Sequence, residues 1–320
     1  MGGTPKPFFS VIIPTHDRVE MLGRAVASVT GQSCGDYEIV VMDDASRPPV
    51  PAEPYRTLIA AGVMKLLRSD EPSGASQARN AAIDAAVGEY VVFLDDDDTL
   101  VETCLEKVKE KILGARRPDV VCMSRKLVFH GIDGVRGHEI QNAPRPPPDV
   151  DDRDTWIGES VAMSWGNPGI VVRRECFLAV GMFDPELRRD EDIDLFLRLL
   201  RAGAVWETVP ECLTNVHFHA GGRLTTSDEL RARAQSYEKM IDKNLDIILA
   251  SPRLSEFFGR ELVTMLYRTG RNAEARRLLR QFLGARVFYP CYMKRVIKCE
   301  IGYPLRRLLQ RCGLVKKRSY

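Results

Sequence analysis

The sequence predicts an α/β protein whose sheet is mixed but mainly parallel, flanked by helices and followed by a basic helical region. Two observations carry this. Short apolar, β-branched runs alternate with helical periodicity through the N-terminal third, the pattern of right-handed crossovers onto a sheet covered on both faces. The runs also end in acidic or polar residues, which in an open parallel sheet gather at the edge where ligands bind.

The elements follow in order. Phe8–Pro14 reads as a buried strand ended by proline. Residues 17–31 read as a helix, because Leu22, Ala25, Val26 and Val29 share one face and Gly31 lies just past the end. Tyr37–Met42 is a second buried strand, stopped by Asp43 and Asp44. A proline-rich loop (Pro48, Pro49, Pro51, Pro54) leads to a short helix and a strand at Val63–Leu67. Ser76–Val87 is helical, Glu89–Leu94 is a strand ended by four aspartates, and Thr99–Gly114 is helical again. Pro118–Phe129 holds strand material, and Gly131–Asp154, rich in Gly, Pro and charge, reads as a long loop. Gly169–Val172, Ala204–Val209 and Leu213–Phe218 read as strands, Arg173–Val180 and Asp190–Ala202 as helices. Beyond Gly221-Gly222 the pattern is helical, so the chain divides into residues 1–225 and 226–320.

The 320 residues carry 46 Lys+Arg and 44 Asp+Glu, a net charge of +2. The balance is uneven: residues 253–320 hold 17 basic and 4 acidic side chains, net +13, leaving −11 for residues 1–252. No apolar run is long enough to span a membrane, and no secretory signal is evident. Eight scattered cysteines without a CxxC pair read as reduced thiols. These features predict a cytoplasmic protein. Two amphipathic tail segments, Ala275–Phe282 and Leu305–Cys312, set arginines opposite an apolar stripe. They would either pack on the catalytic domain or lie peripherally at the inner face of a membrane. Nucleic acid is disfavoured, for no reader motif is present.

Neither GxGxxG nor GxxxxGK[ST] follows the first strand, which disfavours dinucleotide oxidoreductases and P-loop ATPases. The run Asp95-Asp96-Asp97-Asp98 repels itself unless neutralised. Helix capping accounts for Asp98 or Thr99 but not for all four. A hard cation, Mg²⁺ or Mn²⁺, suits the cluster, and magnesium commonly shares its ligands with substrate phosphates. Four acids within Asp190–Asp194 likewise exceed what a helix start requires.

FSVIIPTHDR, YEIVVMDDAS, GASQARNAAIDAAVGEYVVFLDDDD and GMFDPELRRDEDIDLFLRL, in that order and spacing, resemble family 2 glycosyltransferases with the Rossmann-like GT-A fold. The resemblance covers residues 8–220. It implies transfer of a sugar, with inversion, from a nucleotide-diphospho-sugar (a UDP-sugar by family habit) to a hydroxyl of a glycan, lipid-linked or protein acceptor, in polysaccharide, glycolipid or cell-surface glycan synthesis. By the same resemblance Pro14, Thr15, Asp17, Arg18, Asp43 and Asp44 border the nucleotide, with Asp44 able to accept the N3–H of a uracil-type base. Gly74, Arg79 and Asn80 line its second wall, the alternative for Arg79 being a salt bridge to Asp43 or Asp44. Asp95, Asp96 and Asp97 match the DxD element; Asp97 and Asp95 would bind the metal, and His219 would reach it or the diphosphate. Asp192 matches the general base, with Glu191 second. Trp165 and Asn167 would border the acceptor. His16 and Asp17 depart from the usual tyrosine and asparagine. Two competing readings remain at this point, a nucleotidyltransferase and a non-catalytic nucleotide- or glycan-binding protein.

Overall fold

The structure is a computed structural model, and it describes residues 6–131, 134–140, 150–163, 169–218 and 227–283. The chain separates into two compact units, Met1–Ala220 and Gly221–Tyr320.

In the first unit the elements are β1 (Phe9–Thr15), α1 (Val19–Thr30), β2 (Tyr37–Asp44), α2 (Arg56–Ala60), β3 (Met64–Ser69), α3 (Ala75–Ala85), β4 (Tyr90–Phe93), β5 (Thr99–Leu100), α4 (Cys104–Gly114), β6 (Val120–Gly131), β7 (Gly134–Ile140), α5 (Arg153–Ala162), β8 (Ile170–Arg173), α6 (Arg174–Ala179), α7 (Glu191–Arg201) and β9 (Trp206–Phe218). They form one sheet in the order β3-β2-β1-β4-β8-β6-β9-β5, with β7 added beside β6. The four strands β3, β2, β1 and β4 are parallel, as their apolar runs predict. Strand β8 runs antiparallel between β4 and β6, which returns β6 and its parallel partner β9 to the direction of β4. The C-terminal ends of β1, β2, β4, β6 and β9 therefore share one edge.

The core is made by the alternation the sequence shows. Val11, Ile13, Ile39, Val41 and Val92 point to the face covered by Leu22, Ala25, Val26 and Val29 of α1, and all but Val26 are fully buried. Gly88 marks a close approach: a Cβ there would lie 2.7 Å from the backbone of Phe9 and Ser10. Cys104 and Cys122 are free and buried, and burial pushes the Cys104 thiol up to about 12.

Three expectations are corrected. Residues 99–114 are not one helix: Thr99–Leu100 pairs antiparallel with β9 before α4 begins. Residues 131–154 are not a loop throughout, since β7 pairs antiparallel with β6. Its Gly-rich composition hides a strand that exists only by pairing. Helix α5 was absent from the sequence reading. Its signal was the cap, for Asp152 Oδ1 accepts from Thr155 N at 3.0 Å. The two strands expected at 204–218 are one strand, with register shifts opposite Met123–Arg125. Pro210 lies in that shifted stretch and cannot donate to a ladder.

In the second unit, α8 (Ser227–Lys243), α9 (Leu245–Ala250), α10 (Pro252–Thr269) and α11 (Asn272–Leu283) form a helical cluster. Ala234, Tyr237, Met240, Ile248, Leu254, Phe258 and Leu266 bury its centre. Helix α11 packs on α10 with Ala275 fully buried and Arg276 and Arg277 exposed. Ala275, the first residue of that apolar stripe, thus faces its own unit. The second stripe, at residues 305–312, lies outside the described residues. Among the described residues no helix is long and apolar enough to cross a membrane.

Candidate active site

Strand β1 delivers Pro14 and Thr15 to the shared edge, and the chain then turns through Asp17, whose φ is 55°. Asp17 N donates to Ser46 Oγ at 2.9 Å and its carboxylate accepts from Arg47 N at 2.6 Å, tying the loop after β1 to the loop after β2. His16 Nδ1 lies 2.6 Å from the Asp44 carbonyl. The two departures from the usual pattern are thus anchoring residues between loops.

Asp43 and Asp44, at the end of β2, are both buried. Asp43 accepts from Ser46 N at 2.8 Å, from Val50 N at 3.1 Å and from Arg68. Asp44 accepts from Ser69 Oγ, from Ser73 N and Oγ, and from Gly74 N, at 2.7–3.1 Å. Burial alone would raise both carboxyls, but these donors outweigh it and hold them below the usual range. This carboxylate fixes the turn that starts α3, where Gly74 sits at φ 88°.

The four aspartates after β4 divide by direction. Asp96 turns inward, accepting from Thr15 Oγ1 at 2.8 Å and Arg18 Nη1 at 3.1 Å. Burial raises its carboxyl, and Thr15 and Arg18 offset only part of that. Asp95, Asp97 and Asp98 converge, each offering an oxygen within 4.8 Å of the others. Asp98 is buried and accepts from His217 N at 3.0 Å. Burial, then the neighbouring Asp95, pushes its carboxyl up to about 8. Three convergent carboxylates, Asp95 and Asp97 partly exposed and Asp98 buried, suit a hard divalent cation. Arg18 also reaches Asp97 Oδ2 at 3.0 Å and stands at the rim of this cluster.

Arg79 projects from α3 into the centre of the site. Its Nη2 donates to Asp95 Oδ1 at 2.8 Å and its Nη1 to Glu191 Oε1 at 2.9 Å. The expected alternative, a bridge to Asp43 or Asp44, is replaced by these two. Burial disfavours the guanidinium charge, but Asp95 and Glu191 more than compensate. Its neighbour Asn80 clasps the backbone of Phe183 with both ends of its amide, at 2.8 and 3.0 Å. Asn80 therefore secures the segment that leads into α7.

Helix α7 begins at Glu191 after Asp190, whose φ is 61°. Asp190 makes no side-chain cap, so capping does not explain the acids. Asp194 is fully buried and pairs with Arg198 at 2.8 Å, a structural role. Asp192 is nearly buried, and burial, followed by Glu191 and Asp190, pushes its carboxyl up to about 7, with Arg79 opposing. A carboxyl poised near neutrality suits proton transfer.

Sequence reasoning missed Arg125 on β6. Burial lowers its pKa, while the charges of Asp192 and Asp98 pull it up, so it lies within electrostatic reach of both. It also missed a polar chain on β9, in which His217 Nε2 lies 3.1 Å from Thr99 Oγ1 and His217 Nδ1 lies 2.8 Å from His130 Nε2. His217 lies on β9 and His130 on β6, strands far apart in the sequence. Trp165, Asn167 and His219 lie outside the described residues.

The sheet edge, the aspartate cluster and the acid-rich helix start sit on a GT-A fold. The pattern described as Glycosyl transferase family 2 matches residues 10–167, and the chain belongs to that family. It is 24% identical over 258 residues to an uncharacterized glycosyltransferase of Haemophilus influenzae, covering 77% of this chain and 84% of the relative. It is 26% identical over 230 residues to a putative colanic acid biosynthesis glycosyl transferase, WcaA, of Escherichia coli, covering 69% and 76%. The fold is similar to that of S. aureus TarS 1-349 in complex with UDP-GlcNAc, at a TM-score of 0.56 and 16% identity, over 97% of this chain and 93% of that one.

Proposed function

We propose that the chain transfers a glycosyl group from a nucleotide-diphospho-sugar, with a UDP-sugar favoured, to an acceptor hydroxyl with inversion. The observation that carries this is the Arg79 fork, which sets the Asp95–Asp97–Asp98 cluster beside the acid-rich start of α7. The UDP-GlcNAc complex of the TarS neighbour supports the choice of donor, and the name of the E. coli relative supports a role in surface polysaccharide synthesis.

Asp95, Asp97 and Asp98 would hold Mg²⁺ or Mn²⁺, which supplies positive charge for a diphosphate leaving group. Asp192 takes the proton of the attacking hydroxyl, and Glu191 keeps the carboxyl basic enough to do so. Arg79 fixes the spacing between donor and base. Trp165 and Asn167 would border the acceptor and His219 the diphosphate. The basic segment beyond residue 283 would make any peripheral contact with a membrane.

The test is turnover of a panel of nucleotide-sugars with Mn²⁺, with Mg²⁺ and with EDTA. Donor consumption should require the cation and be lost in Asp97→Ala and Asp192→Ala. Full activity in either variant would sink the residue assignments, and nucleotide binding without turnover would favour a non-catalytic binder.

A further inference from the structure

The two terminal nitrogens of Arg79 are spent on Asp95 and Glu191. Its Nε is buried and has no hydrogen-bond partner among the described residues. A buried N–H without an acceptor is costly, so its surroundings matter. The guanidinium carbon lies over the ring of Phe183, 5.5 Å from the centroid. A cation over the negative face of an aromatic ring is attracted to it, most strongly where water is excluded. Both side chains are buried, Phe183 almost completely.

The ring itself is held from several directions. It packs edge-on against Phe93 and Phe177, with centroids 5.3 Å away in each case. Phe93 ends β4, two residues before Asp95. Asn80 takes both the N–H and the carbonyl of Phe183, at 3.0 and 2.8 Å. Arg198 of α7 donates to the Met182 carbonyl at 2.6 Å and to the Val180 carbonyl, which fixes the turn just before the ring. Met182 in that turn sits at φ 59°. Phe183 thus touches α3, the end of β4 and α6, and its turn is tied to α7.

We propose that Phe183 is a positioning residue for transfer, its ring being the seat that holds the Arg79 guanidinium between Asp95 and Glu191. The inference rests on the transferase reading above. Two contacts at its ends leave a guanidinium one rotation, about the line joining Asp95 to Glu191. A ring face beneath it removes that rotation and stands in for the missing acceptor of Nε. Leu or Met could fill much of the same volume but offers no negative face. The charged groups acting on Asp192 are Glu191 and Asp190 beside it, Arg79 from α3 and Arg125 from β6. Of these, Arg79 is the one the ring would steady.

The test compares the full-length wild type with Phe183→Leu and Phe183→Met, and with Phe177→Leu as a control from the same aromatic cluster. The first readout is NMR of ¹⁵N-arginine-labelled protein. The Arg79 Nε–H, assigned by its loss in Arg79→Lys, should be shifted upfield by the ring and exchange slowly with water. Both features should vanish in the Phe183 variants and persist in Phe177→Leu. The second readout is nucleotide-sugar consumption with Mn²⁺ across pH. The Phe183 variants should lose about tenfold in kcat. Their pH midpoint should rise, because a loosened Arg79 opposes protonation of Asp192 less. Phe177→Leu should keep the wild-type midpoint even where urea unfolding shows a similar loss of stability. If the Phe183 variants do not fold, mono-, di- and trifluorinated phenylalanine at 183 keep the ring while weakening its face, and the midpoint should climb with each fluorine. An unshifted Arg79 signal in the wild type, a midpoint that ignores the ring, or a Phe177→Leu that reproduces both effects would overturn the seat. A wild type that shows the shifted signal but consumes no nucleotide-sugar would overturn the transferase reading and leave the seat standing.

Discussion

Arg79 Nη1 donates to Glu191 Oε1 at 2.9 Å, joining residues 112 apart in the chain. The same guanidinium holds Asp95, so one buried cation ties the end of β4 to the start of α7. Removing it leaves two partly buried carboxylates without their partner. Arg79→Ala should lose about 3–5 kcal/mol of stability in urea unfolding. Arg79→Lys keeps the charge but not the fork, and should recover part of the stability with less of the turnover.

Asp192 predicts a pH profile. Its folded carboxyl titrates near 7, above the usual carboxylate range. Turnover should therefore fall about tenfold per pH unit below that point and level off above it. Glu191→Gln removes a negative neighbour and should move the midpoint to lower pH. The stability sign is opposite to that of a paired carboxylate. Between the unfolded value and about 7 the folded state holds a proton that the unfolded chain has lost, so stability declines as pH rises through this window. Asp192→Asn should abolish that decline while lowering turnover by about 10²–10⁴-fold. Denaturant titrations and initial rates across pH check both.

Asp96 and Asp97 are adjacent but should fail differently. Asp96→Asn weakens the Thr15 and Arg18 contacts and should cost about 1.5–3 kcal/mol of stability with the Mn²⁺ requirement unchanged. Asp97→Asn should leave the urea midpoint near wild type and raise the Mn²⁺ concentration needed for turnover. Unfolding curves and metal titrations of the two variants separate these roles.

Gly158 lets α5 sit against α7 and β9. A Cβ there would lie 2.6 Å from Leu200 Cδ1 and 3.0 Å from the indole nitrogen of Trp206. Gly158→Val should cost about 1–3 kcal/mol by overpacking. It should also reduce turnover, because α7 carries Asp192. Comparison with an exposed control such as Val87→Ala, measured by thermal unfolding and initial rates, checks this.

The sequence by itself determined the α/β class, the parallel strands β3-β2-β1-β4 and the loops that hold acids. Apolar periodicity reports which segments are buried strands, and a carboxylate inside one needs partners, as Glu38 has in Lys65 and Ser10, so unpartnered acids gather at the ends. The Asp190–Asp194 segment was legible as more acids than a helix start requires, and Arg79-Asn80 through the family resemblance. Only the tertiary structure decided how the acids divide. Asp96 faces Thr15, which is 81 residues away, while Asp95, Asp97 and Asp98 face each other. Asp44 accepts from the Ser69–Gly74 segment, and Arg79 turns away from Asp43 and Asp44 to Asp95 and Glu191. The His130–His217 contact and the Phe129–Phe218 stack exist only because distant strands β6 and β9 pair. Sequence spacing fixes the loop on which a side chain sits. The direction it takes, and the charge it keeps, follow from desolvation and from partners that the fold brings from elsewhere.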